Sequence, residues 1–206
     1  MRSCRIIFLL LSSLFLSSCA YNKLAVTSKR VAPVNTQLIN PVIPATDAVK
    51  YKATIDVLNK HFSGLIVLKQ TDRDTKHLVF VTELGMRMFD FEIKGDNMKA
   101  VFVFEPLNKP KLINALTMNF KNMLLIQWSQ NVAKICEKSG KEYLHLLHGQ
   151  HNLFLFTDDK KYANQLYVFY KHKKESKTIF KDNYNNIKLK QYGLVKLFIE
   201  LEKIND

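Results

Sequence analysis

The stretch KHLVFVTELGMRMFDFEIKGDNMKAVFVFE, residues 76–105, holds three short runs rich in Val, Phe, Met and Ile. They are parted by breaks at Leu84–Gly85 and around Gly95 and Asp96. Runs of this length and composition read as β-strands. Breaks of two to four residues leave no room for the crossover that parallel strands need, so the three strands form an antiparallel meander. The oddity is Leu84, a large apolar side chain placed where the chain turns.

Working outward, SGLIVLKQ before this block and HNLFLFT and QLYVFYKH after it have the same character. Two later segments alternate strictly: Ile187 and Leu189 against Lys188 and Lys190, then Val195, Leu197, Ile199 and Leu201 against Lys196 and Glu200. Period two with one wet face predicts two more strands. One segment departs from that period. In PKLINALTMNFKNMLL, Leu112, Ala115, Leu116, Phe120, Met123 and Leu124 fall on one side of a helix, and Pro110 suits its first turn. The expected helix covers residues 111–124 and lies on the sheet, with a shorter helical stretch expected at 128–138.

Some central strands are apolar on both faces, with Val79 and Val81 opposite Leu78 and Phe80, and Val101 and Val103 opposite Phe102 and Phe104. Such strands need cover on both sides or line a space that accepts apolar guests. Phe80, Phe89, Phe91, Phe102, Phe104, Leu112, Leu116 and Phe120 are therefore the candidate lining of a ligand groove.

The chain opens MRSCRIIFLLLSSLFLSSC: Arg2 and Arg5, an apolar run from Ile6, then small residues before Cys19. This is the pattern of a secretory signal, to be left out of fold reasoning. The ending LSSCA resembles the lipobox of bacterial lipoproteins, which implies cleavage after residue 18 and a lipid on Cys19. Residues 19–48, thin in aromatics and carrying Pro33, Pro41 and Pro44, read as a flexible tether. Residues 49–206 make up one domain. Beyond Cys4 and Cys19 the sequence has only Cys136, so no internal disulfide is expected whatever the compartment.

His145, His148 and His151 lie close in sequence, but a strand sends His145 and His148 to opposite faces, so a polar hairpin is the better account than a metal site. Asp90 and Glu92 share a strand face and could form a carboxylate pair, while Asp72 and Asp74 belong to a turn. No nucleophile elbow, zinc-protease motif, phosphate loop or dinucleotide fingerprint is present. The expectation is a non-enzymatic protein without metal or cofactor. The net charge is +13, with lysines crowded into KHKKESKTIFKDNYNNIKLK; such a run suits an anionic surface, or serves to keep exposed strands from pairing. Export makes nucleic acid an unsuitable partner.

The order of anchor, tether, meander, amphipathic helix and further strands is similar to the LolA/LolB family of lipoprotein carriers and receptors, and most like LolB. The local match is ELGMRMFDFEIKGDNMKAVFV, where Leu84 and Gly85 stand at the family's Pro-Leu-Gly turn and Glu83 takes the place of proline. SGLIVLK, TELGMRMFDFEI and EPLNK also resemble uncharacterised Bacteroidetes-type lipoproteins. The resemblance implies an α+β fold, an antiparallel, incompletely closed β-barrel with helices covering its concave face. It further implies a protein held at the periplasmic face of the outer membrane, consistent with Ala20 after the cysteine. Its partners would be the acyl chains of lipoproteins or other lipids and a periplasmic carrier protein. Leu84 and Gly85 would form a membrane-insertion loop. The competing expectation is a structural or assembly lipoprotein that binds an envelope protein and no lipid.

Overall fold

A computed structural model describes residues 29–35, 39, 40, 42, 48–126, 132–138, 141–158, 161–193 and 195–204. The signal segment, Cys19 and Trp128 lie outside the described residues.

Thirteen strands form one sheet: β1 (Lys29–Asn35), β2 (Val49–Val57), β3 (Lys60–Asp72), β4 (Thr75–Thr82), β5 (Arg87–Lys94), β6 (Asn97–Val103), β7 (Val132–Lys138), β8 (Lys141–His148), β9 (His151–Asp158), β10 (Tyr162–Tyr170), β11 (Lys173–Lys181), β12 (Asn186–Gln191) and β13 (Leu197–Lys203). Among the described residues there is one α-helix, α1 (Pro110–Met123), which follows β6 after a 3-10 turn at Glu105–Leu107. Every strand pairing is antiparallel, and the order is β1-β7-β8-β9-β10-β11-β12-β13-β2-β3-β4-β5-β6. β13 meets β2, which joins the two halves of the chain into one surface, while β1 and β6 are the free edges of an open sheet.

The sheet is rolled. Laid flat, β12 and β6 would be ~29 Å apart at about 4.8 Å per strand, whereas α1, with 14 residues, is only ~21 Å long. Yet α1 touches β6 on one side and β11 and β12 on the other. The strands therefore curl round the helix, giving an open half-barrel with α1 on its inner face. Where helices in the plural were expected, the described residues contain this one.

The strands expected from the sequence form, and so does the helix, one residue earlier. Three differences have clear causes. β2, a strand beyond those expected, alternates Val49, Tyr51, Ala53, Ile55 and Val57, all buried, with Lys50, Lys52, Thr54 and Asp56. β7 replaces the short helix expected at 128–138: Ala133 and Cys136 are buried in separate apolar clusters, so both faces of this segment need cover, as a strand between β1 and β8 supplies. Part of the expected tether is folded too. β1 pairs along β7 as an edge strand, the position where Pro33 is tolerated. Beyond it Ile39 and Val42 are buried in the main core.

That core fills the inner face. Tyr184 ties down its edge: its hydroxyl donates to the Asn40 carbonyl at 3.0 Å and accepts from the Ala163 N–H at 2.9 Å. Burial pushes the Tyr184 hydroxyl up to about 12, and that of Tyr51 likewise to about 12.

Candidate functional site

Helix α1 has two unlike faces. Leu112, Leu116, Phe120 and Met123 recur at helical spacing and are buried. Beneath them the rings of Phe80, Phe89, Phe91 and Phe120 stack in a closed group, with centroids 5.2 Å apart for Phe80–Phe89 and Phe89–Phe91, 5.5 Å for Phe89–Phe120 and 6.1 Å for Phe91–Phe120. These spacings are those of favourable tilted aromatic pairs. Six of the residues expected to line a groove, Phe80, Phe89, Phe91, Leu112, Leu116 and Phe120, are thus solid core. Phe104 packs against that core as a partly buried neighbour. Phe102 is on the other side of the sheet, where the Arg87 guanidinium lies 4.2 Å over its ring.

Open space lies on the helix's opposite flank. Asn114 and Met118 border two clefts at once. One, about 830 Å³, runs between α1, the β10–β11 turn and the loop after β12, with Ala115, Tyr170 and Val195 in its wall. The other, about 620 Å³, runs between α1 and the β8–β9 turn, with Leu153 and Val168 in its wall. Both volumes fall within the roughly 300–1,000 Å³ of ordinary ligand sites. Asn119 holds the helix between them: its amide donates to the Ala115 carbonyl at 2.7 Å and to the Gln191 side chain. Asn122 borders the second cleft, and its buried Oδ1 accepts no hydrogen bond among the described residues. None of the residues expected to line a groove borders either cleft.

The turn that carries Leu84 is closed by four hydrogen bonds. Gly85 N–H donates to Thr82 O at 2.9 Å, Thr82 N–H to Met86 O at 2.9 Å, Met86 N–H to Thr82 Oγ1 at 3.2 Å and Glu83 N–H to Ser63 O at 3.3 Å. Gly85 has φ +79°, which a side chain would strain. The outcome is a rigid hairpin tip on which Leu84 is 92% exposed and Met86 45%. Leu84 does not pack inward.

The histidine and acidic groups are dispersed. His145 stacks on Phe154 at 4.7 Å and bonds Asn152, and His151 pairs with Glu175 at 3.2 Å. Among the described residues no three His, Cys, Asp or Glu converge as metal ligands. Asp90 bonds His77 Nδ1 at 2.7 Å with Arg87 3.7 Å away. Glu92 pairs with Lys99 at 3.0 Å and Lys94 at 3.5 Å, and the bond from Lys99 holds its carboxyl below the usual carboxylate range. Cys136 is buried beside Tyr143, Phe154 and Phe169.

The late lysines sit over aromatic rings. Lys174 Nζ is 4.7 Å from the Tyr192 centroid and 5.1 Å from that of Tyr167; Lys177 is 5.2 Å from Tyr167, and Lys190 5.5 Å from Tyr192. Lys177 and Lys190 are direct cross-strand partners. Like charges so placed repel, and the ring faces partly offset this.

The geometry defines a class: an open antiparallel half-barrel with an internal helix, two clefts beside that helix and an exposed leucine at a hairpin tip. No family model matches the sequence, nor does any curated protein. Among solved structures, the chain is similar to a LolA superfamily protein from Nitrosomonas europaea, with a TM-score of 0.47 and 7% identity over 83% of this chain and 88% of that one. A DUF1329 family protein from Desulfovibrio piger is similar with a TM-score of 0.42 and 10% identity over 92% of both chains. Function has to be argued from this chain's own residues.

Proposed function

We propose that the chain is a lipid-anchored periplasmic binder of apolar ligands, acylated at Cys19, that accepts or inserts the acyl chains of lipoproteins at the outer membrane. The observation that carries this reading is the pair of clefts flanking α1. Both are bounded by connections at the same end of the sheet as the Leu84 turn. An acyl chain removed from water there gains about 0.8 kcal/mol per methylene, and Leu84 meets the bilayer the chain comes from or goes to. A periplasmic carrier would present the cargo, and the reading requires no catalytic group.

The test uses a chain starting at Ala20, which keeps every described residue. Mixed with a lipid extract of envelope membranes and repurified, it should retain acylated species detectable by mass spectrometry and bind a fluorescent fatty acid, and Met118→Glu should weaken both. If no acylated species co-purifies and the probe does not bind, the proposal fails.

One observation favours the second reading, a scaffold for an envelope protein. The outer face of β3–β6 carries Leu65 opposite Val81 and Val67 opposite Val79, and Val101 is 55% exposed nearby. Cross-linking in native envelopes that captures one protein through this face, with no lipid bound, would establish it.

A further inference from the structure

The hairpin connections of an antiparallel sheet alternate between its two ends, and here the two ends differ in kind. The pairings Leu197↔Val57, Gly64↔Thr82, Ser176↔Gln191, Tyr170↔Lys173 and Tyr170↔His151 place the connections at residues 58–59, 83–86, 149–150, 171–172 and 192–196 at one end. The path from β6 into α1 lies there too, since Phe89, beside the Leu84 turn, pairs with Val103.

At this end stand Leu58, Leu84, Met86, Leu147, Tyr170 and Tyr192, all exposed. Lys60, Arg87, Lys109, Lys171, Lys173, Lys174 and Lys196 lie among them, against Asp56, Glu83, Glu105 and Glu175 in those connections and the adjoining strand ends. The opposite end reads differently. Its connections and strand ends set Arg73, Lys94, Lys141, Lys161 and Lys181 against Asp72, Asp74, Asp96, Asp158 and Asp182, and Ile204 is its exposed large apolar residue among those described. Solvation alone would not sort apolar tips and unbalanced lysines to one end.

We infer that this whole end of the sheet, and not the Leu84 turn alone, is a docking face for the surface of an anionic lipid bilayer. Apolar tips spread over separate turns enter the interfacial layer, and the two tyrosines sit at its polar boundary, where amphipathic rings are favoured. The lysines between them meet lipid phosphates, an attraction that falls off within a Debye length. Charge complementarity selects a bilayer, because a soluble anion would not engage tips carried on five connections. The inference rests on the proposed function for its choice of a lipid partner, and it adds the consequence that the clefts beside α1 open toward the membrane.

The chain starting at Ala20 should co-float with vesicles of phosphatidylcholine plus phosphatidylglycerol, and less with phosphatidylcholine alone. Adding salt should release it. The triple change Lys60→Glu, Lys109→Glu and Lys196→Glu, on three different connections, should lower partitioning roughly a hundredfold. Leu58→Glu should lower it with Leu84 intact, and Arg73→Glu with Lys181→Glu at the far end should leave it unchanged. Wild-type binding by the triple variant, or equal loss in the far-end control, overturns the inference. Fatty-acid probe binding separates the two claims. A protein that takes up the probe but ignores both vesicles keeps its cargo and loses this docking face; one that binds vesicles but no probe does the reverse.

Discussion

The carbonyl oxygen of Val81 occupies the place where a Cβ on Gly64 would stand, with the Thr82 Cα hard beside it. The two strands approach this closely at the pairing Gly64↔Thr82, immediately before the Leu84 turn. Both obstacles are backbone, so neither can rotate aside. Gly64→Ala should destabilise the fold by about 1–3 kcal/mol, the range for overpacking, measured by urea unfolding. Gly193→Ala is the control: among the described residues its added Cβ meets the Gln191 side chain alone, at 3.6 Å, and it should move stability by no more than about 0.5 kcal/mol.

Leu84 and Phe120 make a second contrast. Leu84→Glu should leave unfolding within about 0.5 kcal/mol of wild type while blocking transfer of acyl chains to vesicles. Phe120→Ala, which removes the helix's ring from the aromatic group, should cost about 3–5 kcal/mol. A fold loss from Leu84→Glu would contradict the rigid exposed tip.

Alkaline pH offers a third test. Tyr51 and Tyr184 are pushed up to about 12 by burial from an ordinary value of 10.0. Below pH 10 both folded and unfolded chains keep these protons and the contribution is complete. As pH rises from 10 toward 12 the unfolded tyrosines ionise first, so stability is lost across that window. Tyr184→Phe should flatten part of the fall. It should also cost about 1–3 kcal/mol at neutral pH, because the Ala163 N–H loses its buried acceptor. Thermal melts over a pH series read both effects.

Asn122 is predicted to trade stability for binding. Its buried Oδ1 lacks a donor among the described residues, and replacing such a group with an apolar one of similar size is near neutral or stabilising. Asn122→Leu should therefore melt no lower than wild type. If a ligand donor reaches that oxygen, the same change should weaken binding of hydroxylated or amide-bearing lipids more than of plain fatty acids.

Glu92 is held low by the bond from Lys99. Its contribution is present above the unfolded carboxyl value and is lost as pH falls through the folded one. Lys99→Met should move the Glu92 titration upward in carboxyl-resolved NMR.

Much of this was legible in residues 76–105, because strand period and short turns leave few alternatives for a meander. Leu84 was legible as well: an apolar residue beside a glycine in a tight turn has nowhere inward to go. The groove was not. Phe89 and Met118 are both apolar, and only the roll of the sheet decides that one lies under the helix and the other beside a cleft. β7 misled because its buried residues fall on both faces, which blurs period two. The clustering of lysines and apolar tips at one end was hidden by distance: residues 58, 109 and 196 come to the same end of the sheet only through strand register.

Strand β1 has one more consequence, a leash length. Lys29 pairs with Glu137, close to the β7–β8 connection, at the end of the sheet remote from Leu84. From Cys19 to Lys29 the chain can reach at most ~35 Å even when fully drawn out, little more than a strand of eight residues at ~27 Å. With the proposed lipid on Cys19, that reach bounds how far β1 can stand from its anchor. The proposed binder would then be moored to one patch of bilayer, and cargo would have to be brought to it.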